Sequence, residues 1–508
     1  SSEGGTYDFG TEVTITATPA EGYEFVGWEG SDSTEASLTF NLSEDRNYFA
    51  NFREIVSLGT ISLSPNPVEV NSTYAILEID IQSNGGGNIL SYGICWSEND
   101  EPSIDDFKIS NSQYEFGIND FKIKGLEGGK SYYLKAFLEN ESGFSYSNVV
   151  EISSPLNLSV DPCKLTNYTL QRGVGLGFPI NQWRTASLGD INISLIFVDF
   201  DDVESNKSTQ EIFQILSPVS ENFFNKSSYG KFNIRFSPIH KWYRMSKNSE
   251  SYVFQNGAEH RDYLQEAINL ADDENDFNDS DAIIVITNPE ATNIVNGPAF
   301  LGDSYWSLTA DDKTFFSSAN SGADLTYWGG KWLNHEFLHN LGLPDLYEYG
   351  APNGGGFTGQ FSLMGSISGF SPDIFGFSKW NLNWIEDYQV VCGDSGEFSA
   401  FLKPLEDNSV GKKIIIYALS DSEAIVVESR RKIELDVDLP KEGPLVYVVD
   451  TKILTGEGPI KVLPYNYSDQ SKSSCILDVG DELIYENILI RYVLSDHNGD
   501  LIEMLKID

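Results

Sequence analysis

His335-Glu336-Phe337-Leu338-His339-Asn340-Leu341-Gly342-Leu343-Pro344-Asp345 is the stretch around which the chain is organised. On a helix, residues four apart share a face, about 6 Å apart along the axis. His335 and His339 so placed can bind one tetrahedral zinc ion, and Glu336 can reach a water on that ion without being a ligand. Zinc brings the pKa of such a water to about 7. Glu336 would then accept its proton as the water attacks a peptide carbonyl, and pass it to the leaving amine. Two histidines on an amphipathic helix are only a moderately specific signal, so the flanking residues matter. Gly342 stands where the helix needs a left-handed residue to stop. Pro344 forbids continuation, and Asp345 supplies an oxygen ligand as the chain doubles back, with Glu348 as the fallback.

Met364, in Ser362-Leu363-Met364-Gly365, follows His339 by 25 residues in a chain with only three methionines. That pattern matches the Met-turn beneath the metal of metzincin-like peptidases. The whole segment, His335-Glu-Phe-x-His339-x-x-Gly-Leu-Pro-Asp345-x-Tyr347, resembles the zinc signature of the immune inhibitor A (thuringilysin-type) metallopeptidases. LIFVDFDD at 195–202, SSYGKFNI at 227–234, FSLMGS at 361–366, FGFSKWNLNW at 375–384, and VVESR with LVYVVD at 426–430 and 445–450 extend the resemblance over about 190–450. It implies His335, His339 and Asp345 as zinc ligands, Glu336 as general base and Met364 as a floor that does not coordinate. Leu338 departs from the glycine that relatives often carry, and nothing matches the family's propeptide.

The surrounding chain is long enough, at 508 residues, for three or four cores. With 33 basic against 76 acidic residues its formal charge is −43. Such a polyanion repels phosphate backbones, so nucleic acid is excluded as a partner. No apolar run approaches a membrane span. The four cysteines lie far apart, which predicts buried thiols, with Cys392–Cys475 as the candidate bridge. The chain opens inside a Gly/Ser segment, which suggests an export signal or surface tether upstream.

Outward from the motif, residues 1–54 alternate apolar and polar residues between turns (Val13, Ile15, Ala17; Leu38, Phe40, Leu42) and predict strands. GTEVTITATPAEGYEFVGWEG resembles the divergent internalin-type repeat of bacterial surface proteins. Residues 55–155 read as a β-sandwich that resembles fibronectin type III modules, with Leu126 and Tyr132 or Tyr133 at its corner. Both modules are read as spacers, with a glycan- or protein-binding role as the alternative. Residues 156–390 mix buried strands (193–199, 282–287) with helices, including one at 261–271, and carry the motif. Residues 391–508 read as a C-terminal β-sandwich.

Other constellations are weaker. The acids between Asp272 and Asp281, and Asp199, Asp201 and Asp202, could hold a structural calcium ion, but EF-hand spacing is absent and capped turns explain them. His240, His260 and His497 stand alone. No Gly-x-Ser-x-Gly elbow or phosphate-binding loop competes with the zinc motif.

The expected architecture is therefore multidomain α/β plus all-β: two β modules, a metzincin-like catalytic domain and a β-sandwich. The expected protein is a monomeric, secreted or cell-surface zinc endopeptidase of extracellular proteins or peptides. A substrate strand would add antiparallel to an edge strand, expected at 304–309. A catalytically silent domain on a surface adhesin is the alternative.

Overall fold

Alternating apolar residues become strands throughout the first unit of the computed structural model, Ser1–Leu156. The structure describes residues 4–70, 72–154, 159–302, 305–350, 356–393, 396–464 and 472–507. In the N-terminal repeat, Glu12–Thr16 pairs antiparallel with Ser37–Asn41, and Tyr23–Glu29 with Phe49–Glu54. Trp28 is buried there, and its Nε1 donates to the Glu35 carbonyl at 3.0 Å.

The next module closes as two sheets. One orders Gly117–Lys124, Tyr74–Ser83 and Thr60–Leu63; the other orders Gly143–Tyr146, Ser131–Asn140, Ile89–Ser97 and Phe107–Asn111. That is the strand order of a seven-stranded sandwich of the immunoglobulin and fibronectin type III kind. Period-two alternation sends Tyr132 inward and leaves Tyr133 at the surface side. The Tyr132 hydroxyl accepts the Glu127 N–H at 2.8 Å, beside buried Leu126, and so makes the corner.

The second unit, Asn157–Asp508, contains the motif. Its strands β1 (Gly189–Asp199), β2 (Phe232–Arg244), β3 (Ala282–Thr287), β4 (Ala299–Leu301) and β5 (Ser317–Asn320) form one sheet in the order β2-β1-β3-β5-β4. All neighbours are parallel except β4, which runs antiparallel to β5 at the edge. β3 is apolar throughout except for its last residue because both its faces are covered. Helices α1 (Thr209–Ser227), α2 (Gly257–Ala271) and α3 (Gly330–Asn340) pack against this sheet. Ser208 and Glu211 form a capping box at the start of α1. A Cβ on Gly330 would lie 2.5 Å from Val219, so only glycine lets α3 approach α1 this closely.

The segments read as 156–390 and 391–508 share a core. Phe337 and Met364 belong to the same buried cluster as Ile414, Val426 and Tyr447. Two further sheets follow: Val390–Gly393, Ile414–Ala418, Glu423–Arg430, Gly443–Asp450 and Ile460–Val462 in one, and Glu397–Leu402, Gly499–Lys506, Ile488–Asp496 and Glu482–Tyr485 in the other. Buried charges tie the first of these to the motif-bearing part. Arg430 pairs with Glu428 and Asp436, and Glu428 accepts both the Gly376 N–H and the Tyr447 hydroxyl.

The disulfide corrects the expected pairing. Cys392 is bonded to Cys163, not to Cys475, and Cys95 and Cys475 are buried cysteines outside that bridge. Strand pairing explains this: Val390–Gly393 lies alongside Ile414–Ala418, whose Ile416 carbonyl is 3.5 Å from Cys163 Sγ.

Candidate metal centre

The local sequence ends α3 as expected. Gly342 adopts φ +97°, its N–H donates to the His339 carbonyl, and the Leu343 N–H donates to Leu338. These two bonds are a Schellman stop, which turns the chain back so that Asp345 faces the helix.

Each histidine is oriented by a backbone carbonyl. His335 Nδ1 lies 3.1 Å from the Leu363 oxygen, and His339 Nδ1 lies 2.7 Å from the Leu343 oxygen. A carbonyl can only accept, so each Nδ1 carries the proton and each Nε2 is directed at the third residue. Asp345 Oδ1 is 3.1 Å from His335 Nε2 and 3.2 Å from His339 Nε2. Ligands about 2.0–2.1 Å from one tetrahedral centre lie about 3.3 Å apart, so these separations and the N, N, O donor set fit zinc. Among the described residues, these three form the one cluster of three or more potential ligands. Glu348 is not in it.

The outer support is equally specific. Asp345 Oδ2 accepts the Tyr349 hydroxyl at 2.6 Å, and the Asp345 N–H donates to Thr455 Oγ1 at 2.9 Å. The Asp345 carbonyl accepts the Gly456 N–H. Met364 is buried next to Leu363, and its own carbonyl accepts the Leu346 N–H at 2.9 Å. The turn at 362–365 therefore grips both the helix and the returning segment.

Electrostatics follows from burial and proximity. Burial opposes charging His339, but the Asp345 carboxylate outweighs it and pushes the imidazole up to about 9. Burial likewise opposes ionisation of Asp345, yet the two imidazoles hold it well below the usual carboxylate range. Glu336 is raised, chiefly by burial. Its Oε2 accepts the Ala299 N–H at 2.8 Å, which ties it to β4.

A cleft of about 870 Å³ runs over this cluster. His335, Glu336, His339 and Asp345 line it, with β4 along one wall and Trp328 and Ile367 among the apolar groups. The edge strand over the cleft is thus 299–301, which corrects the expectation of 304–309. Residues 305–307 form a turn, 308–310 belong to a separate hairpin with 313–315, and Ser304 lies outside the described residues. Sequence reading also missed Asn340. Its buried Nδ2 donates to the Phe300 carbonyl of β4 and the Ser318 carbonyl of β5, at 3.0 and 3.1 Å. A polar residue directly after a ligand histidine, on a buried helix face, was the available signal.

Several of the other acids have protein partners. Asp199 pairs with Arg244 at 2.8 Å, Asp202 caps Ser249, and Asp281 accepts the Asn192 N–H.

Residues 1–56 match the family described as Divergent InlB B-repeat domain. No curated protein matches the chain. Solved structures similar to it include the sensor domain of the anti-sigma factor RsgI4 in Pseudobacteroides cellulosolvens, at 16% identity over 20% of this chain and 99% of that one, TM-score 0.16. They also include a human FNIII domain, at 17% identity over 21% of this chain and 84% of that one, TM-score 0.16. A third is the fibronectin type-III domain of human fibronectin type III domain containing protein 3, at 19% identity over 20% and 90%, TM-score 0.15. TM-scores this low carry no argument. No helix among the described residues is long and apolar enough to cross a membrane. Residues 1–56 are thus similar to a Divergent InlB B-repeat domain, and the strand order of residues 60–146 is that of a fibronectin type III-like sandwich.

Proposed function

We propose that residues 157–508 are a zinc-dependent endopeptidase of extracellular proteins or peptides, of the immune inhibitor A type, on a secreted or cell-surface protein. The observation that carries the reading is the aim of His335 and His339. Both Nδ1 protons are committed to carbonyls, and both Nε2 atoms meet Asp345 Oδ1 within 3.2 Å. Bound zinc would supply Lewis acidity and hydroxide at neutral pH. The chain's residues do the rest. Glu336, made more basic by burial, takes a proton at its carboxylate and returns it to the leaving amine. The Ala299 N–H holds that carboxylate in place. The outer edge of β4 offers backbone groups to a peptide that adds as an antiparallel strand. The N-terminal surface repeat supports the location.

The test is zinc per chain and casein cleavage for wild type and Glu336→Ala. The variant should keep about one zinc and lose at least ~10²-fold in rate. A wild type that binds no zinc would sink the ligand assignment. Zinc without cleavage would favour the second reading, a silent peptidase-like domain on a surface binding protein, which the repeat at 1–56 also suits.

A further inference from the structure

We infer that Arg172 is a specificity residue that selects an acidic side chain on the N-terminal side of the cleaved bond. This rests on the peptidase reading for its orientation.

The chain carries ten arginines. Eight are in ion pairs with its abundant carboxylates. Arg184 is half-buried and donates to the Asn381 carbonyl. Arg172 is exposed, lines the cleft, and has no side-chain partner among the described residues. It is also the one arginine or lysine among the described residues lining the cleft. In a protein with 76 acidic residues, an unpaired guanidinium on a residue that lines the cleft is available for a ligand's carboxylate.

Its backbone is firmly set. Arg172 ends a 3-10 turn, Leu170–Arg172, and its N–H donates to the Thr169 carbonyl. The buried Asn181 amide donates to the carbonyls of Leu170 and Gly173. Gly175 donates to Gly342, the residue that stops α3. Gly173, at φ +84°, sits so close to β4 that an added Cβ would lie 2.9 Å from the Leu301 oxygen. Arg172 is therefore held at the Leu301 end of β4, while Glu336 is bonded at the Ala299 end.

That placement fixes which substrate residues it meets. A peptide antiparallel to β4 runs from the Leu301 end toward Ala299, so the part nearest Arg172 precedes the bond at Glu336. At about 3.4 Å per residue, two to three residues separate them. The ligand chemistry is a carboxylate, from a Glu or Asp side chain or from a chain terminus. The strand direction assigns the side chain.

The test uses zinc-loaded full-length Glu336→Ala protein and fluorescent peptides identical except for Glu, Gln or Lys two or three residues before the cleaved bond. Binding is read by anisotropy, so it does not depend on turnover. The Glu peptide should bind about tenfold tighter than the Gln peptide, less so at high salt. Adding Arg172→Ala should erase the difference, and Arg172→Glu should favour the Lys peptide. Equal binding of Glu and Gln peptides, or a preference that survives Arg172→Ala, overturns the inference. So does binding that is equal for the Glu and Gln peptides and falls on amidating the peptide's C-terminus, because the carboxylate read would then be terminal. An Arg172-dependent preference without cleavage by wild type would keep Arg172 as a carboxylate-selecting residue of the cleft but remove the peptidase reading and, with it, the assignment to the N-terminal side of a cleaved bond.

Discussion

The Tyr349 hydroxyl donates to Asp345 Oδ2 at 2.6 Å, while Oδ1 of the same carboxylate faces both imidazoles. Tyrosine thereby sets the rotation of the ligand. Tyr349→Phe should weaken zinc binding about 10- to 100-fold, measured by chelator competition, with the fold unchanged by circular dichroism. Unchanged affinity would mean that the helix and the Schellman turn alone orient Asp345.

Gly456 supports the same ligand from more than a hundred residues away. It adopts φ +73°, and an added Cβ would lie 2.3 Å from the Tyr349 ring. Gly456→Ala should reduce zinc affinity at least as much as Tyr349→Phe and lower stability by more than about 1 kcal/mol. Denaturant melts of the zinc-free protein separate the two effects.

Asn340 pins the edge strand β4. Asn340→Ala leaves the Phe300 and Ser318 carbonyls without that donor, a loss of about 1–3 kcal/mol for buried groups. Amide exchange at 299–301 should speed up and peptide cleavage should fall while zinc content holds. Loss of zinc in parallel would show that Asn340 acts on the helix instead.

His260 makes stability pH-dependent. It stacks on Phe254 at 3.8 Å between ring centres, its Nδ1 lies 3.2 Å from Asn320 Oδ1, and Glu259 is its charged neighbour. Burial lowers its pKa, against the Asn320 bond and Glu259. The unfolded chain thus takes up the proton first, near pH 6.5, and stability is lost as pH falls below that value. The melting temperature of wild type should drop more between pH 7 and 5 than that of His260→Gln. Parallel curves would contradict this.

Thiol counting checks the covalent frame. Because Cys95 and Cys475 are buried and lie outside the disulfide, native protein should show no reactive thiol and denatured protein two. Reducing Cys163–Cys392 should lower stability by about 2–5 kcal/mol. Four thiols in unreduced, denatured protein would refute the bridge.

Residues 335–345 made the candidate centre legible in one dimension, because helix spacing, a left-handed stop and a carboxylate just beyond it are all local properties. The strands of the first unit were legible for the same reason, through period-two alternation. Tertiary structure alone decided which chain segments meet. It placed Asp345 rather than Glu348 against the imidazoles, and put Thr455 and Gly456 behind that ligand. It also made 299–301 the edge over the cleft, brought Arg172 to that strand's far end, and paired Cys392 with Cys163. Apart from the choice of Asp345, each of these joins residues tens to hundreds of positions apart. Such meetings depend on how apolar faces pack into one core, which no local pattern encodes.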